Sequence, residues 1–118
     1  MTIPEFYQVV GGSYEDVLSR FMKDTLVLRF LRMFPNDTSM DDLTSTLKAG
    51  DVKEAFRAVH TLKGVALNLG LGNLASAAST LTEALRGADT LPANVQDLYE
   101  DVYKEYVHVI DQLDGLSA

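Results

Sequence analysis

From Asp24 onward, apolar residues return every three or four positions, and the chain shows no sustained alternation of the kind a half-buried strand needs. That periodicity restricts the fold to helices packed on helices, because a helix with one apolar face must bury it against another element. Four main amphipathic helices with short connections predict an all-α, antiparallel up-and-down four-helix bundle over about 24–116. Residues 1–22 are expected to form a short helical cap over one end, and 1–118 to be a single domain.

Local signals punctuate this pattern. A short helix over 4–10 is ended by Gly11-Gly12. Ser13 is an N-cap for a second, with Asp16 in the place of the usual capping-box glutamate. A helix over 24–34 carries Leu26, Phe30, Met33 and Phe34 until Pro35-Asn36-Asp37 interrupts it. Met40, Leu43 and Leu47 mark the next, closed by Ala49-Gly50. Asp51 caps a helix over about 51–69, and Gly70-Leu71-Gly72 breaks it. Leu74, Ala78, Leu81 and Leu85 form a stripe up to Gly87. A loop over 88–92 places Pro92 near the start of the last helix, which carries Val95, Leu98, Val102, Val109, Leu113 and Leu116.

Composition narrows the chemistry. The absence of cysteine excludes disulfides, thiolate metal sites and cysteine nucleophiles. A formal charge of −7 argues against nucleic acid and anionic lipid as main partners. No apolar run approaches the roughly 20 residues of a membrane span. The start, Met1-Thr2-Ile3-Pro4-Glu5-Phe6, does not read as a signal peptide, so a cytoplasmic protein is expected. The chain reads as free-standing, although a domain cut from a longer protein would read the same. An acidic exterior poor in apolar patches makes a monomer the expectation.

The helix over 51–69 carries the informative chemistry. Val52, Ala55, Val59, Leu62, Ala66 and Leu69 share the face that must point inward. His60 then lies about 140° from the centre of that face and is predicted to meet solvent. Arg57 and Lys63 flank it at three residues either way, with Lys53 two turns before. Phe56 and Leu67 supply apolar flanks, and Gly64 leaves bare backbone one turn on. Glycine inside a helix costs roughly 1 kcal/mol relative to alanine. Gly64 therefore needs a reason: close packing inside the protein, or space for a visitor beside His60. The angle of about 40° between the two favours the visitor.

His60-Thr61-Leu62-Lys63-Gly64, followed by Asn68-Leu69-Gly70, closely resembles the signature of the histidine phosphotransfer (HPt) domains of two-component phosphorelays. The likeness runs on through Leu74, Leu81 and Arg86-Gly87. The resemblance implies a four-helix bundle whose active histidine accepts a phosphoryl group from a receiver-domain aspartate and donates it to another. Carried over by position, His60 would be the phosphoacceptor, Lys63 would stand near the phosphoryl oxygens, and Gly64 would leave room for the receiver. Phe56, Arg57, Lys53, Leu67 and Asn68 would belong to the docking surface. The partners implied are receiver domains of response regulators or hybrid kinases. No cofactor is expected in the chain itself, magnesium being the receiver's, and with no nucleotide motif present it should not use ATP alone.

Two positions depart from the family pattern. The family often has an acidic residue or glutamine after the leucine at the place of Leu81, able to orient the imidazole. Here that place is Thr82, with Glu83 one residue later, so the orienting partner is unassigned. Val65 also stands where a smaller residue is usual.

Other readings compete. Glu105 and His108 have the Glu-x-x-His spacing of a di-iron bundle, but a second copy is missing, so no metal is expected. The phosphoacceptor helices of histidine kinases usually place an acidic residue after the histidine and a proline shortly beyond, unlike Thr61 and Gly64-Val65. An HPt portion of a chemotaxis-type kinase would keep the chemistry and change the donor. A helical interaction module without phosphotransfer would use Phe56 and Leu67 and leave His60 incidental.

Overall fold

The computed structural model describes residues 1–116, and among them there is helix and no strand. Seven α-helices follow one another: α1 Ile3–Val9, α2 Tyr14–Phe21, α3 Asp24–Met33, α4 Ser39–Lys48, α5 Val52–Asn68, α6 Gly72–Leu85 and α7 Val95–Asp114. None of them is long and apolar enough to cross a membrane.

Side-chain caps set three of the starts, those of α1, α2 and α5. Thr2 and Glu5 form a reciprocal capping box: the Glu5 amide donates to the Thr2 hydroxyl at 3.3 Å, and the Thr2 amide to the Glu5 carboxylate at 3.0 Å. Ser13 caps α2 by accepting from the Asp16 amide at 3.2 Å. Asp16 does not close the box; its carboxylate pairs with Arg20 instead. Asp51 caps α5 by accepting from the Glu54 amide. The Pro35 interruption is a single 3-10 turn over Phe34–Asn36, so the segment after Met33 bends without becoming a loop. The last helix starts at Val95, three residues past Pro92, and Leu116 is buried although it lies beyond the helix end.

Helices α4, α5, α6 and α7 pack in sequence order. Short turns over 49–51 and 69–71 make α4, α5 and α6 successive antiparallel neighbours, and a longer loop over 86–94 brings α7 back along α6, as the up-and-down reading requires. The bundle closes where α4 returns to α7, with the Thr44 and Tyr99 hydroxyls 2.8 Å apart. Further along α7, Tyr106 meets Phe34 of the 3-10 turn at a ring separation of 5.6 Å. One corner of the bundle is thus shared between α4 and the segment before it. The inward face of α5 is as expected: Val52, Ala55, Val59, Leu62, Ala66 and Leu69 are all buried, with Ala58 beside them.

The N-terminal segment covers the C-terminal end of α5. The buried Tyr7 hydroxyl donates to the Leu69 carbonyl at 2.7 Å. The Arg20 guanidinium donates to the carbonyls of Leu67 and Asn68. The turns at Gly12 and Gly70 touch so closely that a Cβ on Gly12 would overlap the Gly70 carbonyl oxygen. Gly70 also has φ +70°, which a side chain rarely tolerates, and its own Cβ would strike Val17. At the other end of the segment, the Met1 amine donates to the Gly115 carbonyl at 2.7 Å.

Candidate functional site

His60 lies midway along α5 and is exposed. Among the described residues no hydrogen bond or ion pair engages its ring. Its ring rests against Phe56, one turn earlier, at 5.7 Å between centroids and 54° between planes. Phe56 is half-buried against the core, so it is a fixed wall for the imidazole.

The two flanking cations differ. Arg57 donates to Glu54 at 2.9 Å and lines the groove between α5 and α4 with Asp37, Asp42 and Thr61. Lys63 is half-buried and among the described residues makes no hydrogen bond or ion pair, which leaves its ammonium uncommitted there. Helical spacing puts both three residues from His60 but does not say which one has a carboxylate to satisfy it. Lys53 is exposed on the first turn of α5 and lines a shallow groove with Phe56, Leu85 and Ala88.

Gly64 faces open space. A Cβ built there would meet no atom within 4 Å apart from its own helix. Packing inside the chain therefore does not explain this glycine. Leu67, one turn beyond, is 55% exposed and adds an apolar side chain to this face. Asn68 is exposed as well, but its carbonyl is taken by Arg20. Val65 is half-buried and packs on the core, which accounts for a larger residue than the family usually places there.

Thr82 and Glu83 have opposite environments. Thr82 is fully buried, and its hydroxyl donates to the Ala78 carbonyl at 2.7 Å. It belongs to the interior of α6 and cannot orient the imidazole. Glu83 is exposed and accepts two bonds from Arg86, at 3.1 Å from Nε and 3.0 Å from Nη2. The Arg86 hydrogen bond and charge hold the Glu83 carboxyl below its usual range, and the charges of Lys63 and His60 add smaller pulls in the same direction. Arg86 in turn lies over the Phe56 ring, 5.2 Å from its centre. An unbroken run of contacts thus leads from His60 through Phe56 and Arg86 to Glu83.

Sequence reasoning placed Arg86 in the motif without giving it a part. The available signal was its i,i+3 spacing from Glu83, which predicts a helical ion pair. That it reaches across to Phe56 on α5 depends on how the two helices pack.

Glu105 and His108 both lie on α7. The His108 Nε2 lies 3.3 Å from the Val9 carbonyl oxygen, and among the described residues no three His, Asp or Glu side chains gather to hold a cation.

The site therefore offers an exposed imidazole, an ammonium unpaired among the described residues, open backbone and apolar flanks. It has the parts for receiving an anionic group from a visiting macromolecule. A comparison with models of protein families matches the one described as the Hpt domain over residues 26–118. Searches of curated proteins and of solved structures found no match.

Proposed function

The chain belongs to the Hpt domain family, whose members carry phosphoryl groups on histidine in phosphorelays, and from that premise we propose that it exchanges phosphate with receiver-domain aspartates through His60. The carrying observation is the solvent-facing His60 imidazole, with Lys63 at i+3 and the open backbone of Gly64 at i+4, neither His60 nor Lys63 having a hydrogen-bond or ion-pair partner among the described residues.

The step balances without a base in the chain. A neutral ring nitrogen of His60 attacks the phosphorus of an aspartyl phosphate in line. The N–P bond forms as the P–O bond breaks, and the electron pair leaves with the receiver's carboxylate. The other ring nitrogen keeps its proton. Lys63 offsets charge on the phosphoryl oxygens, as a point charge does for phosphate. The reverse reaction returns the group to a second aspartate.

Gly64 and Leu67 form the seat for the receiver, with Phe56, Lys53, Arg57 and Asn68 around it. The receiver supplies the acidic pocket and its magnesium. The chain acts as a carrier, uses no ATP of its own, and works as a cytoplasmic monomer.

The test is incubation with a phosphorylated receiver. An acid-labile, base-stable label is expected on the wild-type chain and is lost in His60→Gln. A label that persists in His60→Gln refutes the site. A chain that binds receivers but takes no label is an interaction module without transfer.

A further inference from the structure

The Arg86–Glu83 pair is built to be disturbed by charge at His60. Both side chains are more than half exposed, so water screens the pair and holds it weakly. Arg86 sits on Phe56, and Phe56 touches His60. The Glu83 carboxylate is near enough to His60 and Lys63 to feel both. A phosphoryl group on the imidazole brings nearly two negative charges and three strong acceptors into this neighbourhood. The guanidinium fork suits phosphoryl oxygens as well as it suits a carboxylate. The same added charge repels Glu83.

We propose that Arg86 changes partners when His60 is phosphorylated, leaving Glu83 for the phosphoryl oxygens while keeping its seat on Phe56, and that Glu83 limits how much of the chain stays phosphorylated. This rests on His60 as the phosphoryl carrier. Glu83 is a positioning residue in the resting chain, where it holds Arg86 aside. In the phosphorylated chain it is a like-charged neighbour that favours release. The pair sets an equilibrium as well as a rate, which suits a carrier that must both accept and give up its cargo.

The probe is potassium phosphoramidate, a small donor that needs no receiver. Its P–N bond breaks, ammonia leaves, and the new N–P bond forms on His60. The phosphohistidine fraction is read by phosphorus NMR at fixed phosphoramidate and ammonium concentrations.

Glu83→Gln is expected to raise the equilibrium constant about threefold to tenfold, and Arg86→Gln to lower it by a similar factor. Salt near 1 M should shrink both differences below about twofold, since the Debye length there is only about 3 Å. Circular dichroism should be unchanged, as both side chains are exposed. Equal constants within twofold for wild type and both variants at low salt overturn the proposal and leave His60 as the carrier. A wild-type chain that takes no label removes the premise and the proposal together. A shift that persists undiminished at high salt overturns the electrostatic account.

Discussion

The Arg20 guanidinium on α2 closes the carbonyl end of α5, donating to the Asn68 oxygen at 2.9 Å from Nη2 and 3.2 Å from Nε. The same side chain reaches the Leu67 carbonyl at 3.1 Å. The last turn of α5 has no basic residue of its own, so this cation comes from 48 residues away. It meets the Asn68 carbonyl, adds a second donor to the Leu67 carbonyl, which also accepts from the Gly70 amide, and sits at the negative end of the helix dipole. Arg20→Ala should lower stability by about 1–2 kcal/mol, read from urea denaturation midpoints. Arg20→Lys should recover only part of this, because an ammonium cannot reproduce the guanidinium fork.

Gly64 makes stability and function separable. Alanine fits the open space there and is the better helix former by roughly 1 kcal/mol. Gly64→Ala should therefore raise the melting temperature by a few degrees. If Gly64 is the proposed seat of the receiver, the added methyl faces it and a longer side chain obstructs it further. Transfer from a phosphorylated receiver should slow about tenfold in Gly64→Ala and more in Gly64→Gln, for about 1.4 kcal/mol or more of barrier. Unchanged rates in both variants would make Gly64 an incidental helix glycine.

The two cations beside His60 should respond unequally. Among the described residues Lys63 has no hydrogen-bond or ion-pair partner, whereas Arg57 bonds Glu54 and lines the groove toward α4. Lys63→Ala should slow phosphotransfer about tenfold with little change in melting temperature. Arg57→Ala should change the rate by no more than about threefold, the exposed pair it breaks being worth under 1 kcal/mol. Rapid-quench measurement of transfer on both variants checks the contrast.

Tyr7 ties stability to alkaline pH. Burial pushes its phenol well above the ordinary tyrosine value of 10.0, with nearby Arg20 opposing weakly. Above about pH 10 the unfolded chain gives up this proton while the folded chain retains it. The unfolded state then binds fewer protons, so stability falls as pH climbs. Tyr7→Phe should lose about 1 kcal/mol at neutral pH with the Leu69 bond. Its denaturation midpoint should then decline less steeply than wild type between pH 9 and pH 11.

What the sequence made legible was what a helix carries within a few residues of itself. The inward column from Val52 to Leu69 follows from spacing alone, and with it the outward position of His60. Asp51 and Ser13 announce helix starts because a cap acts over three residues. Features that depend on how helices lean together were not legible. Arg20 reaches Asn68, Arg86 reaches Phe56, and Gly12 meets Gly70 across long sequence separations. Spacing put Arg57 and Lys63 equally near His60, and only the Glu54 carboxylate told them apart. Thr82 and Glu83 were ambiguous for a related reason: neighbours in sequence, they ended on opposite sides of the helix wall.

The clasp between the Gly12 and Gly70 turns enlarges the cooperative unit beyond the stretch by which the family is recognised, which begins at residue 26. A fragment trimmed to that boundary would strip the histidine-bearing helix of its lid and leave the Asn68 and Leu69 carbonyls without their side-chain donors. In native-state hydrogen exchange, the opening helix and the far turn of α5 should therefore gain deuterium together.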